Sequence, residues 1–202
     1  MPGFDRLFNG TPWEAFSREH LQKCEISIDL MSDYILLAFP EEALTEGICR
    51  EYELVAPTLN LAALRSVPYI AKIDVSEERK WEFEHSDQTP QFIHGLGVRL
   101  IIPFTGNQAL FFVKPASGTV SPPEGQIEGN LVKIEIEGER LDPEATRKYF
   151  LNQLQGICRT LADLKEDCAR FNDSLKGMIQ KEVHQKRTLL ERAKKVADYI
   201  HA

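Results

Sequence analysis

The chain has 202 residues, of which 43% are hydrophobic and 27% charged, with a formal net charge of -7; these are the proportions of a packed globular protein and exclude a disordered or low-complexity one. No run approaches the roughly 18 to 20 apolar residues that a membrane helix needs, and the opening Met1-Pro2-Gly3-Phe4-Asp5-Arg6 lacks the basic and then apolar order of a signal peptide, so a cytoplasmic location is the expectation. Length alone allows one domain with an extension, or two small ones.

In the first ten residues Phe4, Leu7 and Phe8 are available to pack. Thr11-Pro12-Trp13-Glu14 reads as a capping box, the Thr11 hydroxyl accepting from the Glu14 amide while the Glu14 carboxylate reaches back and Pro12 takes the first helical position. A helix is predicted there, with Trp13, Phe16, His20 or Leu21, and Cys24 as its apolar stripe. Ile26-Ser27-Ile28 alternates as a strand would, whereas Ile28, Met31 and Ile35 keep a helical spacing, and both readings stand. Pro40-Glu41-Glu42 opens a second helix, its carboxylates placed favourably against the helix dipole, which Gly47 interrupts or ends.

From Tyr52 to Ala56 the pattern is strand-like until Pro57, and Tyr69, Ala71, Ile73 and Val75 alternate about Ile70, Lys72 and Asp74 as in a half-buried strand. Residues 81–84 are a candidate pairing partner through a turn at 76–79. Residues 98–104 and 109–113 are two apolar runs joined by Thr105-Gly106-Asn107-Gln108, which predicts a central hairpin with Arg99 as its main polar interruption. Residues 115–125, with Ser117-Gly118 and Pro122-Pro123, are excluded from a sheet ladder. Residues 131–137 alternate strictly, Val132, Ile134 and Ile136 inward, Lys133, Glu135 and Glu137 outward.

Asp142 is then the N-cap of a long helix, with Pro143 at its first position, and the domain boundary is placed here: an α+β domain over 1–141 and a coiled-coil-like arm or helical hairpin over 142–202. Phe150, Leu154, Ile157, Leu161, Leu164, Cys168, Phe171, Leu175 and Met178 form an unbroken heptad seam. A second seam displaced by one residue follows at Ile179, Val183, Leu190, Ala193, Ala197 and Ile200. As one rod, residues 143–200 would reach roughly 87 Å; the alternative is a hairpin broken where Asn172-Asp173-Ser174 and Gly177 cluster. No proline lies there and the spacing persists, which favours the continuous helix. The fold class is therefore α+β, a mainly antiparallel sheet with N-terminal helices and a long C-terminal helix or helical hairpin.

The first half of the long helix is expected to cover the sheet. Its second half is short of large hydrophobes and is interrupted by Lys186 and Arg187, so it needs a partner to stay folded. Phe171, Leu175, Met178, Ile179, Val183 and Leu190 are the candidate partner-binding residues, toward a second copy of the chain, another protein or a further domain. From Lys176 to Lys195 seven basic residues stand against Glu182 and Glu191, a net +5 that leaves -12 on the remainder. This charge makes nucleic-acid binding by Lys181, Lys186, Arg187, Arg192, Lys194 and Lys195 the alternative function. A solvated helix face is the simpler explanation, because the body is acidic and no aromatics are interleaved.

Signals for catalysis are few. His20, His85, His94, His184 and His201 form no metal-ligand spacing beyond a loose His85, Asp87 and His94 set, so no metal and no cofactor are expected. No G-x-S-x-G, phosphate loop or dinucleotide glycine pattern occurs; His94-Gly95-Leu96-Gly97 lacks the third glycine and precedes a strand. A nuclease-type pair of acidic residues could be forced onto Asp74 and Glu135, but the lysine such a site requires does not follow. A small hydrolase or nuclease is thus the second alternative. Cys24, Cys49, Cys158 and Cys168 lack C-x-x-C spacing and read as buried free thiols.

The segments Val98 to Gly106, Leu110 to Pro115, Pro122-Pro123 and Phe171 to Leu175 followed by Arg187 together resemble the N-terminal α+β modules of bacterial multidomain proteins, defence-associated ones among them. In those proteins such a module and a long helix precede an effector domain such as a nuclease or a TIR domain. The likeness covers residues 69–202. It implies a non-enzymatic sensing, regulatory or oligomerising role, as in the regulatory subunit of a bacterial defence system.

Overall fold

The computed structural model describes residues 6–75, 92–118 and 121–200. Its elements are β1 (Thr11–Pro12), α1 (Trp13–Leu30), α2 (Asp33–Ala38), α3 (Glu41–Tyr52), β2 (Thr58–Leu59), β3 (Arg65–Asp74), β4 (Phe92–Thr105), β5 (Val113–Lys114), β6 (Gln126–Glu128), β7 (Leu131–Gly138) and α4 (Pro143–Ile200). The fold is α+β. The chain forms two compact units: Met1–Asn9, Pro57–Phe112 and Thr119–Leu161 in the first, and Gly10–Ala56, Val113–Gly118 and Ala162–Ala202 in the second. α4 is one continuous helix that contributes to both.

The first unit is built on an antiparallel sheet whose centre is β4. It pairs with β3 from Arg65↔Ile101 to Asp74↔Phe92 on one side, and with β7 from Leu96↔Gly138 to Pro103↔Leu131 on the other. β2 and β6 extend the sheet at Thr58↔Thr105 and Gln126↔Lys133. Because side chains alternate, Leu100, Ile102 and Phe104 of β4 share a face with Val132 and Ile134 of β7, and all five are buried. Phe8, Leu110 and Phe111 join this core, with Phe111 edge-on to Phe104 at 4.8 Å and tilted against Phe8 at 5.6 Å.

The two glycines of His94-Gly95-Leu96-Gly97 have a packing reason. A Cβ on Gly97 would lie 2.5 Å from the Tyr69 ring, which covers this directly opposed glycine, and one on Gly95 would strike Ile73 and come within 2.8 Å of the Gly138 carbonyl. β3 has only β4 as a neighbour among the described residues, and it carries Pro68 and Lys72, residue types that discourage further strand addition.

The hairpin expected between 98–104 and 109–113 does not form. β4 turns back against β7 and β3, while Gln108–Phe112 is a 3-10 turn that buries Leu110 and Phe111, started by Asn107, whose side-chain oxygen accepts from the Ala109 amide at 3.0 Å. A short apolar run has the same composition whether it is a strand or a buried helical turn, and only tertiary pairing separates the two. The expected strand at 81–84 and turn at 76–79 lie outside the described residues.

In the second unit, α1 begins at Trp13, one residue after the Pro12 start indicated by the sequence, and the capping box is absent. Pro12 is the N-cap, and Thr11–Pro12 instead pairs in parallel with Val113–Lys114. The 26–28 ambiguity resolves to helix through Leu30, with Ile28 buried beside Cys24 on the inward face. α2 follows directly, its first turn capped by the Ser32 hydroxyl at 3.4 Å from the Ile35 amide. Gly47 does not stop α3, which continues to Tyr52; one glycine costs about 1 kcal/mol, less than the packing of Thr45 and Ile48 supplies. Residues 53–57 are therefore a connection and not a strand.

Asp142 caps α4 as expected, its carboxylate accepting from the Ala145 amide at 2.8 Å. The polar cluster at 172–174 does not break the helix; Asn172 and Ser174 have partners and Asp173 faces outward. The Asn172 amide accepts from the Leu54 N–H and donates to the Leu54 carbonyl, both at 3.0 Å, and the Ser174 hydroxyl donates to the Phe171 carbonyl.

Candidate functional site

Four of the six candidate partner-binding residues lie in the core of the second unit. Phe171, Leu175, Ile179 and Val183 are at most 7% exposed, while Met178 and Leu190 are half-buried. Phe171 packs edge-on to Trp13 at 6.4 Å and to the His20 ring at 5.7 Å. The cover that this stretch of α4 requires comes from the chain's own N-terminal helices. His20 is part of that packing, and its Nε2 donates to the Tyr52 carbonyl at 3.0 Å.

The basic residues divide in the same way. Lys186 donates to the Ile28 carbonyl at 2.9 Å and pairs with Asp29 at 2.9 Å, at the end of α1, whose own last turn holds no basic residue. Arg187 donates to the Phe39 carbonyl at 2.8 Å, at the end of α2. Both place a cation at the negative end of a helix dipole. Lys181, Arg192, Lys194 and Lys195 are exposed and make no ion pair among the described residues.

Chemistry-bearing clusters are limited. Among the described residues no group of three His, Cys, Asp or Glu is placed to hold a metal. Asp74 and Glu135 are not brought together: along β4 they stand opposite Phe92 and Arg99, about 23 Å apart at the usual strand rise. Glu135 instead accepts from Tyr69 at 2.9 Å and pairs with Arg99, while Glu137 accepts from Tyr69 at 2.7 Å. Burial, and then the hydrogen bonds to Glu137 and Glu135, hold the Tyr69 phenol well above its ordinary range. This cross-strand cluster locks the outer face of the sheet. All four thiols are free, and burial pushes Cys24 and Cys168 up to about 11, so neither is an activated nucleophile.

A groove of about 380 Å³ runs between the start of α3 and α4, lined by Glu41, Glu42, Thr45, Gln180, Lys181 and His184. Glu41 and His184 approach to 3.3 Å across it. The Thr45 hydroxyl is buried without a hydrogen-bond partner, unlike Thr160, whose hydroxyl donates to the Gly156 carbonyl at 2.9 Å.

Exposed apolar side chains occur at several places, on the sheet among them, where Ile70 is 77% and Leu96 53% exposed, and two groups lie on the helices of the second unit. One is the last part of α4, where Leu189 is 63%, Val196 62%, Tyr199 86% and Ile200 73% exposed. The other is the junction of α1 and α2, with Ile26 at 56%, Leu30 at 81% and Tyr34 at 78%. The sequence signal for the first was present in the 4-3-4 spacing of Leu189, Ala193, Val196 and Ile200, a set that the neighbouring seam through Val183 and Leu190 obscured. The second gave no signal until α1 was seen to continue through residues 26–30.

Comparison of the chain with protein-family models, with curated proteins and with solved structures finds no match.

Proposed function

We propose that this protein is a non-enzymatic interaction module that acts through the exposed end of α4. One observation carries the reading: from Leu189 onward the helix keeps a heptad-spaced apolar row with every residue of 191–200 exposed. A soluble helix rarely maintains such a row without a surface to bury it against. The burial of Phe171, Leu175, Ile179 and Val183 moves the docking segment toward the C-terminus, to Leu189, Val196 and Ile200. A sensing, regulatory or oligomerising role accords with this.

Nucleic-acid binding has less support. Lys186 and Arg187 are occupied at helix ends, which leaves Lys181, Arg192, Lys194 and Lys195 to contact phosphates. The test is a photo-crosslinking residue at position 189 or 196 of the full chain, with Arg170 as an exposed control. Protein adducts specific to 189 and 196 are expected. Adducts that nuclease treatment removes, or none above the control, would overturn the reading.

A further inference from the structure

We propose that the occupant of the exposed α4 face is a second copy of this chain: residues 189–200 of each protomer dock on residues 25–34 of the other. The inference rests on the reading of α4 as a docking helix and names its partner.

The two surfaces are complementary in kind. Ile26 and Leu30 stand one turn apart on the outer side of α1, about 6 Å along the axis, the same spacing as Leu189 and Ala193. Beside the α1 row lie Glu25 and Asp29, and Asp33 follows at the start of α2, with no basic residue between 25 and 34. Asp29 is paired with Lys186, while Glu25 and Asp33 have no ion-pair partner among the described residues. Flanking the α4 row are Arg192 and Lys195, likewise unpaired. An apolar row with an acidic flank thus meets an apolar row with a basic flank.

Charge also decides between this pairing and others. Two α4 ends packed on each other would set Arg192, Lys194 and Lys195 against like charges, whereas the 25–34 strip offers the opposite sign. An anionic surface such as a membrane or nucleic acid would satisfy the basic flank but would leave Ile26, Leu30 and Tyr34 unexplained. Because each copy carries both surfaces, reciprocal docking closes as a two-fold dimer.

Sedimentation equilibrium of the full chain tests this. The wild type is expected to dimerise, less tightly as salt rises. R192E/K195E and E25K/D33K should each associate at least about tenfold more weakly. An equimolar mixture of the two variants should recover the dimer, because each acidic tail then meets a basic strip and each basic tail an acidic one; recovery also shows that both variants fold. A monomeric wild type, or a mixture no tighter than its components, overturns the proposal. If the chain is monomeric but position 196 crosslinks to a different protein, the second copy is wrong and the docking role of α4 survives. No adduct at 189 or 196 removes both.

Discussion

Asn172 offers the most quantitative check on how the second unit is held. Its amide forms a paired contact with Leu54, accepting from the N–H and donating to the carbonyl at 3.0 Å each, and Leu54 is only 2% exposed. Asn172→Ala removes both partners and leaves a buried donor and a buried acceptor unpaired. At about 1 to 3 kcal/mol for each group so stranded, partly relieved by water entering the gap, the expected loss is about 2–4 kcal/mol. That is a large share of a stability of about 5–15 kcal/mol, and corresponds to a fall in Tm of roughly 4–16 °C for a chain of this length. Asn172→Asp keeps the acceptor for the Leu54 N–H but sets a carboxylate oxygen against the Leu54 carbonyl. It should be at least as destabilising at neutral pH. Its defect should shrink as pH falls through the carboxyl range, since the neutral acid can donate to that carbonyl and its folded-state pKa is thereby raised. Urea unfolding with the m-value monitored is the assay. A loss under about 0.5 kcal/mol for Asn172→Ala with unchanged m would refute the reasoning.

Other expectations follow from neighbouring contacts. Ile179→Ala, at a fully buried site, should cost about 2–4 kcal/mol in urea unfolding, whereas Val196→Ala at 62% exposure should leave the stability of the monomer unchanged within about 0.5 kcal/mol; equal effects would misplace the end of the packed seam. Thr45→Val should be neutral or stabilising by up to about 1 kcal/mol, because the hydroxyl it replaces is buried without a partner. A clear loss would mean that the hydroxyl is engaged. Burial raises the Cys24 thiol from 9.0 to about 11, so the folded state holds a proton that the unfolded chain releases. Its contribution to stability is intact below the unfolded value near 9.0 and is lost as pH rises through about 11. Cys24→Ala should flatten the alkaline fall in Tm, and in native protein the exposed Cys158 should react with a thiol reagent well before Cys24 or Cys168.

Periodicity made the α+β class, β3, β7 and the whole of α4 with its Asp142 cap legible, because each combines a long regular pattern with a chemically specific start or stop. It could not place elements whose identity depends on what covers them. Residues 109–112 have the composition of a strand and form a 3-10 turn that buries Leu110 and Phe111. Thr11 has the spacing of a capping box, yet its segment is bound to Val113 and Lys114. The same limit applied to the site. Nothing local to 171–183 announces that Trp13 and His20 pack there, or that the cations of Lys186 and Arg187 belong to the ends of α1 and α2. Such contacts join residues more than 140 positions apart, beyond the reach of any window of sequence.

Amide hydrogen exchange of the full chain, at dilute and at high protein concentration, tests the central claim most directly. Protection of 189–200 that rises with concentration, accompanied by protection of 25–34, is the expected result. Exchange in these two segments that is rapid and identical at both concentrations would contradict it.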